Sequence, residues 1–152
     1  MELKLERLLD NIGKKIVNTL QKNARISYSD LGRKVGLSTP ATTERVRKLE
    51  DAGVILGCHA VLDAAKVGFP VTAFIQLTTP VQYYSKVTSI MKNLNEVLEC
   101  HHISGEESFI IKAVVPSVKH LESLVEKLNP YGQTKTSIVL SSSFVKRGIE
   151  IS

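Results

Sequence analysis

Tryptophan is absent from this 152-residue sequence, and Tyr and Phe together make up only 5% of it. Proteins that bind single-stranded nucleic acids usually stack bases on several aromatic rings, so this scarcity disfavours such a protein. The two cysteines, Cys58 and Cys100, are too few for a disulfide framework and too far apart for a zinc knuckle. They indicate a reducing compartment. We expect a cytoplasmic protein with no metal and no cofactor.

Long apolar runs are missing as well. No stretch approaches the roughly 18 residues that a membrane span needs. Charged residues interrupt the start of the chain at Leu3-Lys4-Leu5-Glu6-Arg7, which argues against a signal peptide. The hydrophobic fraction of 43% is nevertheless ample for a packed core. The sequence therefore predicts a soluble globular protein with no membrane partner.

Positive charge is concentrated at the front of the chain. Residues 1–57 carry 11 Lys and Arg against 7 Asp and Glu, whereas residues 58–152 carry 9 against 8. The net charge of +5 therefore comes almost entirely from the N-terminal third. Such a segment permits binding to a polyanion, although a solvated basic surface gives the same pattern.

The N-terminal segment has the pattern of a helix-turn-helix. Apolar spacing predicts helices over residues 10–23, 31–35 and 39–52. The candidate N-caps of these helices are, in order, Asp10, Ser29 or Asp30, and Ser38 or Thr39. Gly36 supplies the turn, and Pro40 suits the first turn of the third helix because no N–H is needed there. Two short helices joined in this way are typical of proteins that read the major groove of double-stranded DNA.

Beyond Gly53 the pattern changes. Short extended pieces are expected at residues 54–55 and 60–61, and strands at 71–78, 97–104, 109–115 and 136–145. One helix carries Val87, Ile90, Met91 and Leu94 at helical spacing, and a second is capped by Ser117. The order β-α-β-β-α-β predicts a four-stranded antiparallel sheet with both helices on one face. We therefore predict an α+β protein: residues 1–60 form a helix-turn-helix domain with a linker strand, and residues 61–152 a ferredoxin-like domain.

The sheet face without helices still carries apolar residues. Phe74, Ile103, Ile110 and Val114 occupy the alternate phase of their strands. An exposed apolar face needs a cover, and a second copy of the sheet is the simplest one. We expect a homodimer. A fully solvated sheet face is the alternative.

The third helix carries the candidate DNA contacts. Thr39, Thr43 and Glu44, near its beginning, are placed to reach base edges, and the candidate cap Ser38 is counted with them among the DNA-binding residues. Arg47 can address guanine or phosphate, and Arg45 and Lys48 are candidates for phosphate contacts, together with Arg33 on the preceding helix. Each of these cations could instead be a solvated helix residue.

Two stretches of this segment resemble the Lrp/AsnC family of transcriptional regulators, also called feast/famine regulatory proteins. The first reads Arg25-Ile26-Ser27 and then Leu31-Gly32-x-x-Val35-Gly36-Leu37-Ser38; the second reads Glu44-Arg45-Val46-Arg47-Lys48-Leu49-Glu50-Asp51-Ala52-Gly53-Val54-Ile55. The resemblance implies a winged helix-turn-helix and dimers built through the C-terminal sheet. It also implies octamers of such dimers and an amino acid or similar small effector near the hairpin between the second and third strands.

The sequence departs from the family pattern at three positions. Gly32 stands where the family usually has Ala, and Thr42 stands at a core position usually filled by Val or Ile. A buried hydroxyl at Thr42 would need a hydrogen-bond partner. In the hairpin, Ser108 replaces the usual acid of a Gly-x-x-Asp-Tyr pattern that begins here at Gly105. Gly105 and Ser108 are the candidate effector residues.

Other constellations point only weakly to chemistry. Cys100 and His102 share one side of a strand while His101 faces the other, which makes a poor metal site. The adjacent acids Glu106 and Glu107 have nothing nearby to adapt them for catalysis. Two alternatives to a non-enzymatic regulator remain: an enzyme resembling the tetrapyrrole decarboxylases of similar architecture, favoured only by His101-His102, and a sensor or assembly module that does not bind DNA.

Overall fold

The computed structural model describes residues 6–145, 148–149 and 151. The chain divides into two compact units, one made of residues 1–60 and 144–152 and the other of residues 61–143. The sequence analysis assigns residues 144–152 to the second domain, whereas here they group with the first. The reason is local, because the backbone of Ile151 is hydrogen-bonded to the side chain of Asn18. Within the described part of the chain, no helix is long and apolar enough to cross a membrane.

The first unit is helical. Its helices are α1 (Asn11–Lys22), α2 (Tyr28–Val35) and α3 (Thr39–Asp51). Each contributes apolar side chains to one core, which includes the buried residues Ile16, Leu20, Leu31, Val46 and Leu49. The predicted extended pieces at residues 54–55 and 60–61 are not strands in the structure.

Side-chain caps determine where these helices begin. Asp10 accepts a hydrogen bond from the Gly13 N–H at 2.8 Å, and Ser38 accepts one from the Ala41 N–H at 3.4 Å. The predicted cap of the second helix is wrong. Ser27 caps α2 by accepting from the Asp30 N–H, and its own hydroxyl donates to the Asp30 carboxylate at 2.7 Å. Ser27 is therefore the N-cap, and Asp30 lies inside the helix as the second member of a reciprocal cap. As a result α2 begins at Tyr28, three residues before the predicted Leu31.

The second unit confirms the predicted βαββαβ order. Its elements are β1 (Val71–Thr78), α4 (Tyr84–Lys92), β2 (Val97–His102), β3 (Phe109–Val115), α5 (Val118–Glu126) and β4 (Gln133–Ile138). The strands are antiparallel in the order β2-β3-β1-β4. Alternate residues of β1 and β3 are buried together with Val87 and Met91 of α4 and Leu121 and Leu124 of α5. Both helices therefore cover the same face of the sheet.

The predicted bounds of the last strand are wrong. The prediction of 136–145 follows the apolar run around Ile138, but β4 begins at Gln133 and ends at Ile138. The partner strand β1 explains the difference. Ile138 pairs with Ala73, and the Val139 N–H donates to the Thr72 carbonyl. In this register residues 141–145 come after the position opposite Val71, which is the first residue of β1.

The uncovered sheet face carries a mixture of side chains. Phe74 pairs with Lys112 and is 37% exposed, while Ile110 and Val114 alternate with Lys112 along β3. Ile103 lies just beyond the end of β2. Lys112, which lies between Ile110 and Val114 on the inner strand β3, forms a 2.8 Å ion pair with Glu99 of the edge strand β2. The face therefore combines apolar side chains with an ion pair that reaches its centre.

Candidate nucleic-acid interface

The turn between α2 and α3 depends on a close approach at Gly32. A Cβ atom at this position would lie 2.6 Å from the carbonyl oxygen of Leu37 and 2.8 Å from Thr42 Oγ1. Thr42 is fully buried, and its hydroxyl donates to the Ser38 carbonyl at 2.9 Å, which supplies the partner that the sequence analysis requires. Gly36 ends α2 with a φ of 76°, in the left-handed region that favours glycine. The departures at Gly32 and Thr42 therefore adjoin each other.

The outer face of α3 presents the two cations that the sequence singles out. The side chains of Arg47 and Lys48 are 64% and 55% exposed. Both contact Glu44: Arg47 donates through Nε and Nη2 at 3.2 and 3.1 Å, and Lys48 Nζ lies 3.4 Å away. The hydrogen bonds from Arg47 hold the pKa of Glu44 below its usual value, and the same contact raises the pKa of Arg47. The three groups are therefore ionised together on an open surface.

The beginning of α3 brings the candidate base-contacting hydroxyls together. Ser38 serves as the N-cap, and Thr39 and Thr43 are exposed on the first turns. The Thr43 hydroxyl donates to the Thr39 carbonyl at 3.0 Å. A hydroxyl that donates inward still has lone pairs for an outside donor.

The two remaining predicted cations lie apart from this face. Arg33 is 78% exposed and forms an ion pair with Asp30 on α2. Arg45 has a side chain only 26% exposed; it pairs with Asp10 and also donates to the Arg7 carbonyl. Asp10 is the N-cap of α1, so the Arg45 contact joins α3 to α1. The sequence analysis misses this pairing because the two residues are distant along the chain and share no periodic pattern.

Comparison with known proteins identifies both units. Residues 9–55 match the family model of winged helix-turn-helix DNA-binding domains, and residues 72–149 match that of the Lrp/AsnC ligand-binding domain. The chain belongs to the Lrp/AsnC family. It is a DNA-binding transcription regulator, with the winged helix-turn-helix and α+β fold expected from its sequence.

Two relatives place the chain within the Lrp/AsnC family, and one further structure shares its fold. The transcriptional regulator LrpC of Bacillus subtilis is 34% identical over 92% of this chain and 97% of its own, and its structure matches with a TM-score of 0.83 over 91% and 99% of the two chains. The leucine-responsive regulatory protein of Haemophilus influenzae is 33% identical, covering 92% of this chain and 89% of its own. A regulator from Neisseria meningitidis, solved with L-Met, shares the fold at 24% identity, with a TM-score of 0.82 over 95% and 96% of the chains.

The curated relatives are transcription regulators and not enzymes. The decarboxylase-like alternative is therefore set aside, as is a module without DNA binding. His102, which suggested that alternative, instead contacts the ring of Tyr84, with 4.7 Å between the ring centroids.

In the ligand-binding domain of this Lrp/AsnC protein, the two predicted effector residues differ in accessibility. Gly105 has a φ of 133°, and no atom lies within 4 Å of the Cβ position. Ser108 is 8% exposed, and its hydroxyl both accepts from the Thr79 N–H at 3.1 Å and donates to the Thr79 carbonyl at 3.0 Å. Ser108 thus ties the hairpin to the end of β1.

A groove that the sequence analysis misses lies beside this hairpin. It has a volume of about 520 Å³ and is lined by Tyr84, Ser85, Thr88, Ser89, Lys92, His102 and Phe109. Tyr84 and Phe109 make an edge-to-face contact, with 5.1 Å between the ring centroids. The spacing of Tyr84, Thr88 and Lys92 along one helix face is the signal that could have revealed it.

Proposed function

We propose that this regulator binds double-stranded DNA by placing α3 in the major groove. The observation that carries the proposal is the exposure of Arg47 and Lys48 on a helix whose opposite side, with Val46 and Leu49, is anchored in the core. Thr39, Thr43 and Glu44, in the first turns of α3, are assigned to base edges, and the N-cap Ser38 lies beside them among the DNA-binding residues. A threonine there can bond to a base or contact a thymine methyl group.

The cations have different roles in this proposal. Arg47 addresses a guanine or a phosphate, and Lys48 addresses a phosphate. DNA competes with Glu44 for both of them, because Glu44 contacts both in the free protein. Arg33 is open enough to reach the DNA backbone, whereas Arg45 must give up part of its contact with Asp10 to do so.

We further propose that the active species is a homodimer joined through the uncovered sheet face, with octamers as the larger assembly. Phe74, which is 37% exposed, and the partly buried Ile110 supply apolar surface on that face. A dimer would present two recognition helices roughly 34 Å apart to a partly palindromic site.

An amino acid or similar small molecule is the proposed effector, and the cytoplasm is the proposed location. The ligand-binding domain match supports an effector, and the Neisseria meningitidis protein of the same fold was solved with L-Met. The open backbone at Gly105 and the adjoining groove offer more access than the enclosed Ser108 hydroxyl.

Selection of genomic fragments, followed by salt titration, tests the proposal. We expect Arg47→Ala with Lys48→Ala to weaken binding to a selected fragment by about ten- to a hundredfold at moderate salt. The slope of log K against log salt should fall by roughly 0.9 if Lys48 alone contacts phosphate, and by roughly 1.8 if Arg47 contacts phosphate as well. Repeating the selection with pooled amino acids tests the effector, which should change the fragments recovered or their affinity.

The matched control is Lys119→Ala with Lys127→Ala, which removes the same charge from exposed positions in the second unit. This control should keep both the affinity and the salt slope. Equal losses in the two double variants would mean that net charge, and not α3, governs binding. Unchanged binding in the α3 variant would contradict the assignment of α3 to the DNA interface.

A further inference from the structure

The last described residues of the chain lie against α1 of the DNA-binding unit. Asn18 Nδ2 donates to the Ile151 carbonyl at 2.9 Å, and the Ile151 N–H donates to Asn18 Oδ1 at 3.1 Å. One turn along the helix, Gln21 Nε2 donates to the Ile149 carbonyl at 2.7 Å, and the Ile149 N–H donates to Gln21 Oε1 at 2.6 Å. Each side-chain amide therefore satisfies both backbone groups of one residue.

This arrangement reproduces the hydrogen bonding of a β-ladder with side chains. In an antiparallel ladder, a residue exchanges both of its backbone hydrogen bonds with one residue of the neighbouring strand, and every second residue bonds to that strand in this way. Here Asn18 and Gln21 take the place of that neighbour for residues 149 and 151. Positions i and i+3 rise by about 4.5 Å along a helix, whereas alternate strand residues are about 6.6 Å apart. Side chains of two different lengths can bridge that difference.

Packing accompanies the hydrogen bonds. Ile151 is partly buried against the apolar core of the first unit. Gly148 lies close to the helix, since a Cβ there would be 2.9 Å from Gln21 Oε1. Ile149 remains 80% exposed, so the contact at this residue rests on its backbone. The site therefore binds the backbone of Ile149 and Ile151 and holds one apolar anchor, the Ile151 side chain.

We propose that Asn18 and Gln21 form a strand-docking site whose ligand is the C-terminal segment of the same chain. The match to the ligand-binding domain extends to residue 149, yet that residue is bound by the DNA-binding unit. The chain passes from one unit to the other after residue 60 and returns after residue 143. Docking thus closes a second connection between the two units.

Amide hydrogen exchange in the full chain, without DNA, tests the docking. Asn18→Ala with Gln21→Ala should accelerate exchange at Ile149 and Ile151 by at least about tenfold, because even one lost hydrogen bond shifts an opening equilibrium by roughly that factor. Asn11→Ala, an exposed change on the same helix, should leave both amides protected. Unchanged exchange in the double variant overturns the proposal. Because no DNA is present, the result is independent of whether the chain binds a duplex.

A change on the strand side guards against a helix variant that fails to fold. Ile151→Pro removes the backbone N–H that donates a hydrogen bond to Asn18 Oδ1, whereas Ile151→Val keeps this N–H. The side-chain NH₂ resonances of Asn18 should move towards free values in the proline variant only. No movement, or equal movement in both, overturns the assigned contact.

A disulfide trap identifies the occupant. Gln21→Cys with Gly148→Cys should give a cross-linked monomer on a non-reducing gel, and each single variant should not, because a Cβ at Gly148 would lie 3.7 Å from the Gln21 Cβ. A cross-linked dimer would mean that a second copy supplies the strand, which overturns docking within one chain.

The second connection between the units is tested by ¹⁵N relaxation: the two units should tumble more independently in the Asn18 and Gln21 variant than in the wild type. Equal behaviour overturns the connection.

Discussion

At the scale of single residues, Asp10 has two functions that one substitution can separate. Its carboxylate caps α1 and pairs with Arg45 of α3. The hydrogen bond from Arg45, followed by that from the Gly13 N–H, holds the pKa of Asp10 below its usual 3.8. Asparagine caps a helix as well as aspartate does but carries no charge. Asp10→Asn should therefore cost only about 0.5 kcal/mol, the value of a partly exposed ion pair, whereas Asp10→Ala should cost about 1 kcal/mol more.

The pH dependence provides the control for Asp10. Because the folded-state pKa is lowered, the stabilisation is fully present above the unfolded-state pKa and is lost as the pH falls through the folded-state value. Urea unfolding should show a constant difference between wild type and Asp10→Asn above about pH 5, and a smaller one near pH 3. A difference that stays the same at acidic pH would contradict a charge-based contribution.

Residue-scale prediction succeeds where the signal is local. The Asp10 cap follows from short sequence spacing, and the need of Thr42 for a partner follows from the family pattern that this segment resembles. The pair of Asp10 and Arg45 does not, because only the packing of α1 against α3 brings these residues together. For the same reason the sequence could not show that Ser108 is enclosed by Thr79.

At the scale of the element, α3 contains an acidic residue, Glu44, that competes with DNA phosphates for the exposed cations of the same helix. Glu44 contacts both exposed cations, and its lowered pKa keeps it ionised at neutral pH. Glu44→Gln should raise affinity for a non-specific duplex several-fold, because Arg47 and Lys48 no longer give up an ion pair to reach phosphate. Glu50→Gln, on the same helix, is the matched control and should have a smaller effect. Gel-shift titration at fixed salt measures both.

A specific duplex distinguishes the second role assigned to Glu44. If Glu44 accepts from a cytosine, Glu44→Gln will lose affinity for the selected site while gaining it for non-specific DNA. A loss on both kinds of duplex would contradict the idea that Glu44 competes with phosphate for the cations.

The bounds of an element could be predicted where local sequence signals mark both of its ends. The cap and apolar spacing of α1 do so, as do the bounded apolar runs of β1 and β3, and these predicted bounds lie within one residue of those observed. α2 begins earlier because Ser27 and Asp30 form a reciprocal cap, and β4 ends earlier because only two residues of β1 remain beyond the pair of Ala73 and Ile138. The first is a choice between neighbouring polar residues, and the second depends on a distant strand. Neither can be read from hydrophobic period alone.

At the scale of the whole molecule, the proposed dimerisation through the sheet rests on the side chains that its helices leave uncovered. Phe74 occupies the middle of that face, with the partly buried Ile110 on the neighbouring strand, and contact with a second copy would remove these apolar surfaces from water. Phe74→Glu would place a charge in the middle of such an interface, where charged groups are depleted. We expect at least a tenfold weaker association, measured by sedimentation at several concentrations, with weaker DNA binding because the two recognition helices no longer act together.

The control for Phe74 must introduce the same charge at an exposed apolar site away from this sheet face. Val118 meets this requirement, since it is 60% exposed at the beginning of α5, on the helix side of the sheet. Val118→Glu should keep the dimer. If the two variants dissociate equally, the added charge and not its position is responsible. If only Val118→Glu gives monomers, the interface lies on the helices, and the uncovered sheet face must be stable in water through its ion pair between Glu99 and Lys112 and the polar residues around it.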